Sequence, residues 1–327
     1  MASTVAAQPP LYEKPGIKSL HRRLRGGDEI AWIVTVTFAA CVLAVTALIV
    51  FELWVGSAAS REKFGFSFLT SRLWNPVTDE YGAYPFVYGT VLTSILALII
   101  SIPTGVGAAI YLSELASGKW SDALTFLVEL LAAVPSVIFG LLAIFTIVPM
   151  MREQIAPAIK SVLGFLPIFQ GPVYGVGYLT AGLVLSIMTF PYIISVSREA
   201  LLAVPREQRE AALALGATKW ESTWQIVVPF ARLGIIGSIF LAFARALGET
   251  MAVTMVIGND PSVHTSLFAP GYTIASVMAN EFAEASGKVY QAALVELGLV
   301  LFLLTLILNG MARLLILLTT DKGSARA

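Results

Sequence analysis

The chain has 327 residues, of which 57% are hydrophobic and only 13% are charged, and its 21 basic residues balance its 21 acidic ones. Because a soluble domain carries about a quarter charged residues, this composition excludes an ordinary pair of soluble domains. The neutral balance gives no indication of nucleic-acid binding. The single cysteine, Cys41, excludes an intrachain disulfide. The two histidines, His21 and His264, lie far apart in sequence, so no metal site is expected.

Six long apolar segments predict an all-α, polytopic membrane protein. A bilayer core of about 30 Å is crossed by about 20 helical residues, and each segment reaches that length. The polar residues 1–29 are predicted to form a disordered cytoplasmic tail rather than a cleavable signal, and residues 319–327 a second cytoplasmic tail. The predicted spans are 30–55, 88–112, 124–150, 176–204, 230–257 and 292–318.

The distribution of lysine and arginine predicts that both termini lie in the cytoplasm. Of the 21 basic residues, fourteen fall in the tails and loops that would then be cytoplasmic, six fall in outer loops, and Arg245 lies inside span five. Basic residues concentrate on the cytoplasmic side of membrane proteins, which fixes the expected orientation. The outer segment 261–290 is either ordinary connecting structure or a docking surface for an extracytoplasmic partner.

Prolines predict interruptions in spans two and three, at 101–107 around Pro103 and at 134–140 around Pro135. Proline removes an amide donor and clashes with the preceding helical turn. Free backbone groups at membrane depth survive only where protein or a water-filled cavity satisfies them. We therefore expect these segments to face other helices or a pathway rather than lipid.

The most polar cytoplasmic loop, 205–229, predicts two short helices. Pro205 suits the first turn of a helix, and the carboxylate of Glu210 lies where it complements the helix dipole. Gly216 supplies a stop signal. The residues that follow can form a second helix, which Pro229 ends just before span five.

The spacing in this loop resembles the E-A-A-x3-G-x9-I-x-L-P signature of ABC importer permeases, with Val228 where leucine is usual. The resemblance implies a type I importer (MetI-like) architecture, in which the first loop helix docks into a groove on a separate ATPase subunit. The alternative is an amphipathic helix that lies on the bilayer surface. The residues that match the signature are Glu210, Ala211, Ala212, Gly216, Ile226 and Pro229.

The sequence contains neither a phosphate-binding G-x-x-x-x-G-K-[ST] loop nor the hydrolase motifs H-E-x-x-H and G-x-S-x-G. We therefore predict a transport subunit and not an enzyme, with no cofactor or metal in this chain. ATP and Mg are expected on a partner ATPase.

Span five carries two charged residues within its apolar run, Arg245 and Glu249. Arg245 lies about 22 Å along the helix from Phe230, and a charge at that depth costs at least about 2.5–3.5 kcal/mol. Residues four apart share a helix face, so the two are predicted to pair. The pair is either structural or part of a substrate path, where the planar arginine fork matches an oxyanion. Protonated phosphate can donate to Glu249, whereas sulfate cannot.

Three other acids lie in or near the spans. Glu129 is a candidate partner for Arg245 or for a neighbouring subunit. Glu52 and Glu296 lie near the outer ends of spans one and six, where we expect solvation at the membrane interface.

The region 186–259 is also similar to the C-type permeases of phosphate-specific transport systems. The segments 188–200 and 244–253 carry most of this resemblance, and 105–114 and 134–140 in spans two and three contribute to it. The likeness covers residues 85–260 well and the rest only in general plan.

That resemblance implies a permease core at 87–318, which follows span one and its outer loop at 30–86. It implies the bacterial plasma membrane, an A-type permease as heterodimer partner, two ATPase subunits, an extracytoplasmic phosphate-binding protein, and inorganic phosphate as substrate. It also implies that Arg245 and Glu249 are functional. The alternatives are a permease for molybdate or sulfate, a secondary transporter, or a membrane-embedded enzyme, which no motif supports.

Overall fold

The computed structural model describes residues 28–116 and 118–324 and divides the chain after Val55 into two units. Most of the predicted N-terminal tail therefore lies outside the described residues.

The described part of the first unit is a single helix, α1 (Asp28–Gly56). Its 29 residues extend about 43 Å at 1.5 Å per residue, enough to cross a bilayer. The hydroxyls of Thr35, Thr37 and Thr46 each donate to the carbonyl four residues earlier, at 2.8–2.9 Å. These bonds satisfy the polar groups within the helix itself. The helix confirms the predicted span 30–55.

The second unit is built from helices joined by loops. In the described residues, four of these helices continue as short π-helical turns, at Tyr111–Leu115, Ala143–Ile147, Met151–Ile155 and Thr223–Val227. The helices are α2 (Ala58–Phe64), α3 (Ser67–Thr70), α4 (Tyr84–Ile110), α5 (Gly118–Ala132), α6 (Ser136–Leu142), α7 (Val148–Met150), α8 (Ala156–Leu163), α9 (Tyr178–Leu202), α10 (Arg206–Ala214), α11 (Lys219–Ser222), α12 (Val228–Leu247), α13 (Met251–Val256), α14 (Ile274–Glu281) and α15 (Lys288–Ser324).

Six helical stretches of the described chain are long and apolar enough to cross a membrane, which confirms the predicted all-α, six-span class. Spans one, two, four and six agree with the sequence prediction to within a few residues. Spans three and five do not. The six stretches are Glu29–Gly56, Tyr84–Leu115, Ser136–Leu163, Tyr178–Leu202, Lys219–Leu247 and Lys288–Leu314.

The predicted position of span three, at 124–150, is wrong. A separate helix, α5, ends at Ala132, and the spanning stretch starts only at Ser136 and runs to Leu163. Pro135 causes the break, because proline lacks an amide donor and disfavours helical backbone in the residue before it. The apolar run continues across the proline, so hydropathy alone placed the start of the span within α5 rather than at Ser136.

The predicted interruption of span two at Pro103 is also wrong. Helix α4 runs unbroken from Tyr84 to Ile110, with Pro103 in its interior. Its π-helical turn lies downstream, at Tyr111–Leu115. Proline in a membrane helix is tolerated where neighbouring groups satisfy the freed backbone.

Helix α9 lies at the centre of the second unit, between α4 and α12. Small residues let the helices approach closely, as in other membrane bundles. A Cβ at Gly182 of α9 would lie 2.7 Å from the Leu96 Cβ of α4, and one at Gly105 of α4 would lie 2.8 Å from the Ile193 Cγ2 of α9. A buried hydrogen bond of 2.7 Å joins the hydroxyls of Ser197 on α9 and Ser238 on α12.

At the end of α9 opposite the 205–229 loop, the segments 57–83 and 258–287 pack over the spans. The Trp74 ring lies 4.7 Å from the Phe86 ring and 4.9 Å from the Tyr81 ring, between ring centroids. The Glu281 carboxylate accepts a hydrogen bond of 2.8 Å from the Trp74 indole. The segments 57–83 and 258–287 therefore form an ordered layer rather than a loose connection.

The expected solvation of Glu296 is wrong. Its side chain is only 6% exposed, because α15 packs against the short helix α2. Near the end of a span, the sequence alone did not reveal that a loop helix covers this acid.

Candidate functional site: the break in span five and the 205–229 loop

Span five is interrupted where its two charged residues lie. Helix α12 ends at Leu247 and α13 begins at Met251. The three intervening residues are not helical, so the predicted continuous span 230–257 is wrong in this part. The Glu249 Oε1 accepts a hydrogen bond of 3.4 Å from the amide of Ala252. Glu249 therefore satisfies one of the free amides at the start of α13.

Arg245 projects from the last turn of α12 towards an aromatic ring. Its guanidinium carbon lies 4.6 Å from the ring centroid of Tyr192 on α9. An arginine over an aromatic face is attracted by the ring quadrupole. The Arg245 side chain is otherwise exposed in the single chain. Among the described residues, none accepts a hydrogen bond from its guanidinium, so its donors face open space.

The predicted ion pair between Arg245 and Glu249 is absent. The prediction assumed one continuous helix, in which residues four apart share a face. Because Gly248 and Thr250 leave the helix, that relation does not hold. Glu129 is exposed on α5 and does not pair with Arg245 either. Sequence reasoning found the two charged residues but missed Tyr192, since an aromatic on another span carries no local signal.

The 205–229 loop contains the two predicted helices. Helix α10 (Arg206–Ala214) is followed by a turn in which Gly216 has a φ of +89°, a backbone conformation that favours glycine. Helix α11 then begins with a capping box, in which the Thr218 hydroxyl accepts from the amide of Glu221 at 3.2 Å. The prediction that Pro229 ends the second helix is wrong: Pro229 lies in the first turn of α12, and Lys219–Leu247 is one continuous helical stretch.

The residues that match the permease signature lie along this loop with different exposure. Glu210 and Ala211 are exposed on α10, whereas Ala212 is buried against the rest of the chain. Ile226 is half-buried in the π-helical turn that leads into α12. The arrangement leaves one face of α10 free, with a carboxylate and a small side chain on it, as a docking helix requires.

Arg209, one residue before the signature, was not singled out from sequence. Its Nε donates to the Glu114 Oε2 at 3.1 Å and its Nη2 donates to the Glu114 Oε1 at 2.9 Å, a two-point contact. The two residues are 95 positions apart, so no local spacing could reveal the pair. A recess of about 380 Å³ lies beside it, lined in part by Arg206 and Glu210.

A second recess, of about 460 Å³, lies at the end of α9 opposite the 205–229 loop, between 167–174 and 260–270. Inside it, the His264 Nε2 lies 3.4 Å from the Asp260 Oδ2. Burial raises the pKa of Asp260, but hydrogen bonds from Ser262 and the His264 ring outweigh burial, so the net pKa lies below its usual range. The carboxylate is therefore charged at neutral pH.

Most of the chain matches a known protein family. The family described as "Binding-protein-dependent transport system inner membrane component" matches residues 101–317. The chain also shares its fold with a bacterial ABC transporter solved in complex with an alginate pentasaccharide-bound periplasmic protein. The TM-score is 0.57 and the identity 15%, over 90% of this chain and 98% of that one. The family match shows that the chain is an ABC importer permease, as the sequence predicted, and the shared fold agrees with it.

Several relatives agree over almost their whole length, and each is described as "Phosphate transport system permease protein PstC". The relative from Mesorhizobium japonicum is 43% identical over 90% of this chain and 92% of its own. That from Xylella fastidiosa is 41% identical over 98% and 99%, and that from Pasteurella multocida is 46% identical over 87% and 90%. The chain belongs to this family of PstC permease proteins, which confirms the resemblance noted from its sequence.

Proposed function

We propose that the chain is a membrane permease subunit of an ATP-driven importer of inorganic phosphate, with Arg245 in the pathway or its gate. The observation that carries the proposal is the exposed guanidinium of Arg245, which lies in the last turn of α12 beside the helix break in span five and contacts the Tyr192 ring. The relatives 41–46% identical to this chain are described as phosphate transport permeases, which supports phosphate as the transported ion.

The guanidinium offers the chemistry that an oxyanion needs. Its planar fork donates two parallel hydrogen bonds to two oxygens of one anion. Phosphate near neutral pH still carries a proton, so its hydroxyl can donate a hydrogen bond to the Glu249 carboxylate. Sulfate has no such proton and meets only repulsion from that carboxylate. An anion that contacts both side chains would therefore be phosphate rather than sulfate. Molybdate and sulfate remain the alternative substrates that the experiment below separates.

ATP hydrolysis belongs to a separate subunit in this proposal. A pair of ATPase subunits binds ATP and Mg, and each engages a permease through a loop of the 205–229 type. Here Glu210, Ala211 and Ala212 lie on the docking helix α10, with Gly216 in the turn that follows. Ile226 and Pro229 connect the loop to span five.

The remaining partners follow from the same class of protein. An A-type permease completes a heterodimer, and an extracytoplasmic phosphate-binding protein delivers the ion to the ordered layer formed by 57–83 and 258–287. The chain lies in a bacterial plasma membrane. Both of its termini lie in the cytoplasm, as the bias of lysine and arginine indicates. Closure of the ATPase pair changes the balance between two states of the spans, and phosphate binds one of them better.

The test is ATP-dependent phosphate uptake into proteoliposomes that hold the full complex, with the wild type compared with Arg245→Gln. We expect uptake to collapse in the variant while the complex still assembles and hydrolyses ATP. Arg313→Gln is the matched control, because Arg313 is also an exposed arginine but lies on α15 and not on span five. Phosphate uptake by Arg245→Gln near the wild-type rate would show that Arg245 acts neither in the pathway nor in its gate. Uptake of sulfate or molybdate in place of phosphate would instead refute the substrate.

A further inference from the structure

Arg209 contacts the ends of two other spans at the end of the bundle that carries the 205–229 loop. Beyond its two-point contact with Glu114, its Nη2 donates to the carbonyl of Leu201 at 2.7 Å and its Nη1 donates to the carbonyl of Val204. Leu201 lies in the last turn of α9 and Val204 follows it. One side chain of α10 therefore joins the end of α9 to the end of span two.

These contacts add to the backbone hydrogen bonding at the end of α9, where the Leu201 carbonyl also accepts a hydrogen bond of 3.2 Å from the amide of Val204. The last carbonyls of a helix have no intrahelical donor, and a cation near them also complements the helix dipole. The Glu114 carboxylate lies in the π-helical turn that ends span two. Both side chains are largely shielded, with exposures of 20% for Arg209 and 10% for Glu114. A shielded, hydrogen-bonded pair of this kind is costly to break, because either charge alone is left without a partner.

The π-helical turn that carries Glu114 is itself joined to α5. The buried Ser121 hydroxyl of α5 donates to the carbonyl of Leu112 at 2.7 Å. Hydrogen bonds therefore connect α10 to the end of α9 and to the π-helical turn after α4, and through Ser121 to α5. By contrast, Arg206 lies one turn earlier on the same helix and is exposed.

We propose that Arg209 and Glu114 are positioning residues that make α10 move as one body with the ends of spans two and four. This proposal rests on the proposed function, since it takes α10 to be the helix that an ATPase subunit displaces. Without the pair, α10 still docks, because Glu210, Ala211 and the rest of its free face are unchanged. Its displacement then no longer reaches the spans, and ATP hydrolysis is uncoupled from transport.

The first readout is the number of phosphate ions taken up per ATP hydrolysed, measured in the same proteoliposomes with the full complex. We expect Glu114→Gln and Arg209→Lys to keep ATP hydrolysis but lower this ratio at least about fivefold, the lower end of the coupling between linked sites. Lysine keeps the charge but cannot form the two-point contact and reach both carbonyls at once. Arg313→Lys, an exposed arginine on α15, is the matched control and keeps the wild-type ratio.

The second readout needs no transported ion. Hydrogen–deuterium exchange is compared between nucleotide-free and vanadate-trapped complexes. In the wild type we expect the protection of 111–115 and 199–204 to change together with that of 206–214. In Glu114→Gln the change persists at 206–214 and is lost at 111–115.

Three outcomes would overturn the inference. One is an unchanged ratio in both variants, and another is wild-type exchange in Glu114→Gln. The third is loss of the ATPase subunits from both variants, which would show that the pair maintains the fold or the docking face. Absence of phosphate uptake by the wild type would instead refute the proposed substrate, and the exchange measurement would still decide the role of the pair.

Discussion

Arg245 contacts an aromatic ring where its sequence neighbourhood suggested a carboxylate. A cation over such a ring gains between about 0.5 and 2 kcal/mol, depending on how dry the site is. We predict that Tyr192→Leu lowers phosphate uptake about two- to thirtyfold, because the guanidinium loses the surface that orients it. Uptake by the assembled complex is the measurement.

The control for that prediction is Tyr192→Phe, which keeps the ring and removes only the hydroxyl. Since the contact is with the ring face, uptake by this variant should stay near the wild-type rate. Equal loss in both variants would show that the hydroxyl matters and that the ring contact does not orient Arg245.

Two glycines of α4 differ in what surrounds them. A Cβ at Gly89 would lie 2.0 Å from the carbonyl oxygen of Tyr272, whereas a Cβ at Gly107 would have nothing within 4 Å. We predict that Gly89→Ala lowers the free energy of unfolding by about 1–3 kcal/mol, since backbone must move to admit the methyl group. Gly107→Ala should be neutral or stabilising by up to about 1 kcal/mol. Thermal unfolding of the purified full chain in detergent compares the two.

At the scale of elements, hydropathy was sufficient wherever a single helix carries a whole span. It failed where an apolar run contains a break whose position depends on packing. Pro103 and Pro135 look alike in sequence, yet only Pro135 ends a helix. The break after Leu247 contains no proline at all. The missing information is which neighbouring groups satisfy the freed backbone, and that depends on residues far away in sequence.

The candidate site was predictable to the same extent. The loop signature and the charged residues of span five are local features, and sequence analysis identified them. The contacts of Arg245 with Tyr192 and of Arg209 with Glu114 join different helices, so they are fixed by how those helices pack. The predicted pairing of Arg245 with Glu249 was wrong because span five breaks between the two residues.

The layer formed by 57–83 and 258–287 should lose stability at high pH. Burial raises the pKa of Tyr272 from 10.0 to about 12, and the nearby Glu281 adds to the effect although a hydrogen bond from Asn280 opposes it. A raised folded pKa means that the folded state holds the proton more tightly. The stabilisation is therefore complete below pH 10 and is lost as pH rises towards 12. It amounts to about 2–3 kcal/mol.

The measurement is the thermal stability of the full chain between pH 8 and pH 12, for the wild type and for Tyr272→Phe. We expect the variant to lose less stability across this interval, because the group that must ionise on unfolding is gone. An identical alkaline loss in both proteins would assign the effect to other tyrosines of the layer.

At the scale of the whole molecule, the proposals depend on which side of the membrane each loop occupies. The excess of lysine and arginine predicts that 205–229 and the loop before α5 lie in the cytoplasm, and that the layer formed by 57–83 and 258–287 lies outside. Surface labelling of single cysteines tests this directly. In a Cys41→Ser background, Val77→Cys and Lys119→Cys are suitable reporters, since both positions are exposed and lie outside the loop signature.

We predict that a membrane-impermeant maleimide labels Val77→Cys in intact cells and labels Lys119→Cys only after the membrane is opened. The Cys41→Ser chain without an added cysteine gives the background, and phosphate uptake confirms that each variant is assembled. The reverse pattern would place α10 and the contact between Arg209 and Glu114 on the outer side. No cytoplasmic ATPase could then reach α10, so the coupling role of that pair would fail together with the ATP-driven mechanism.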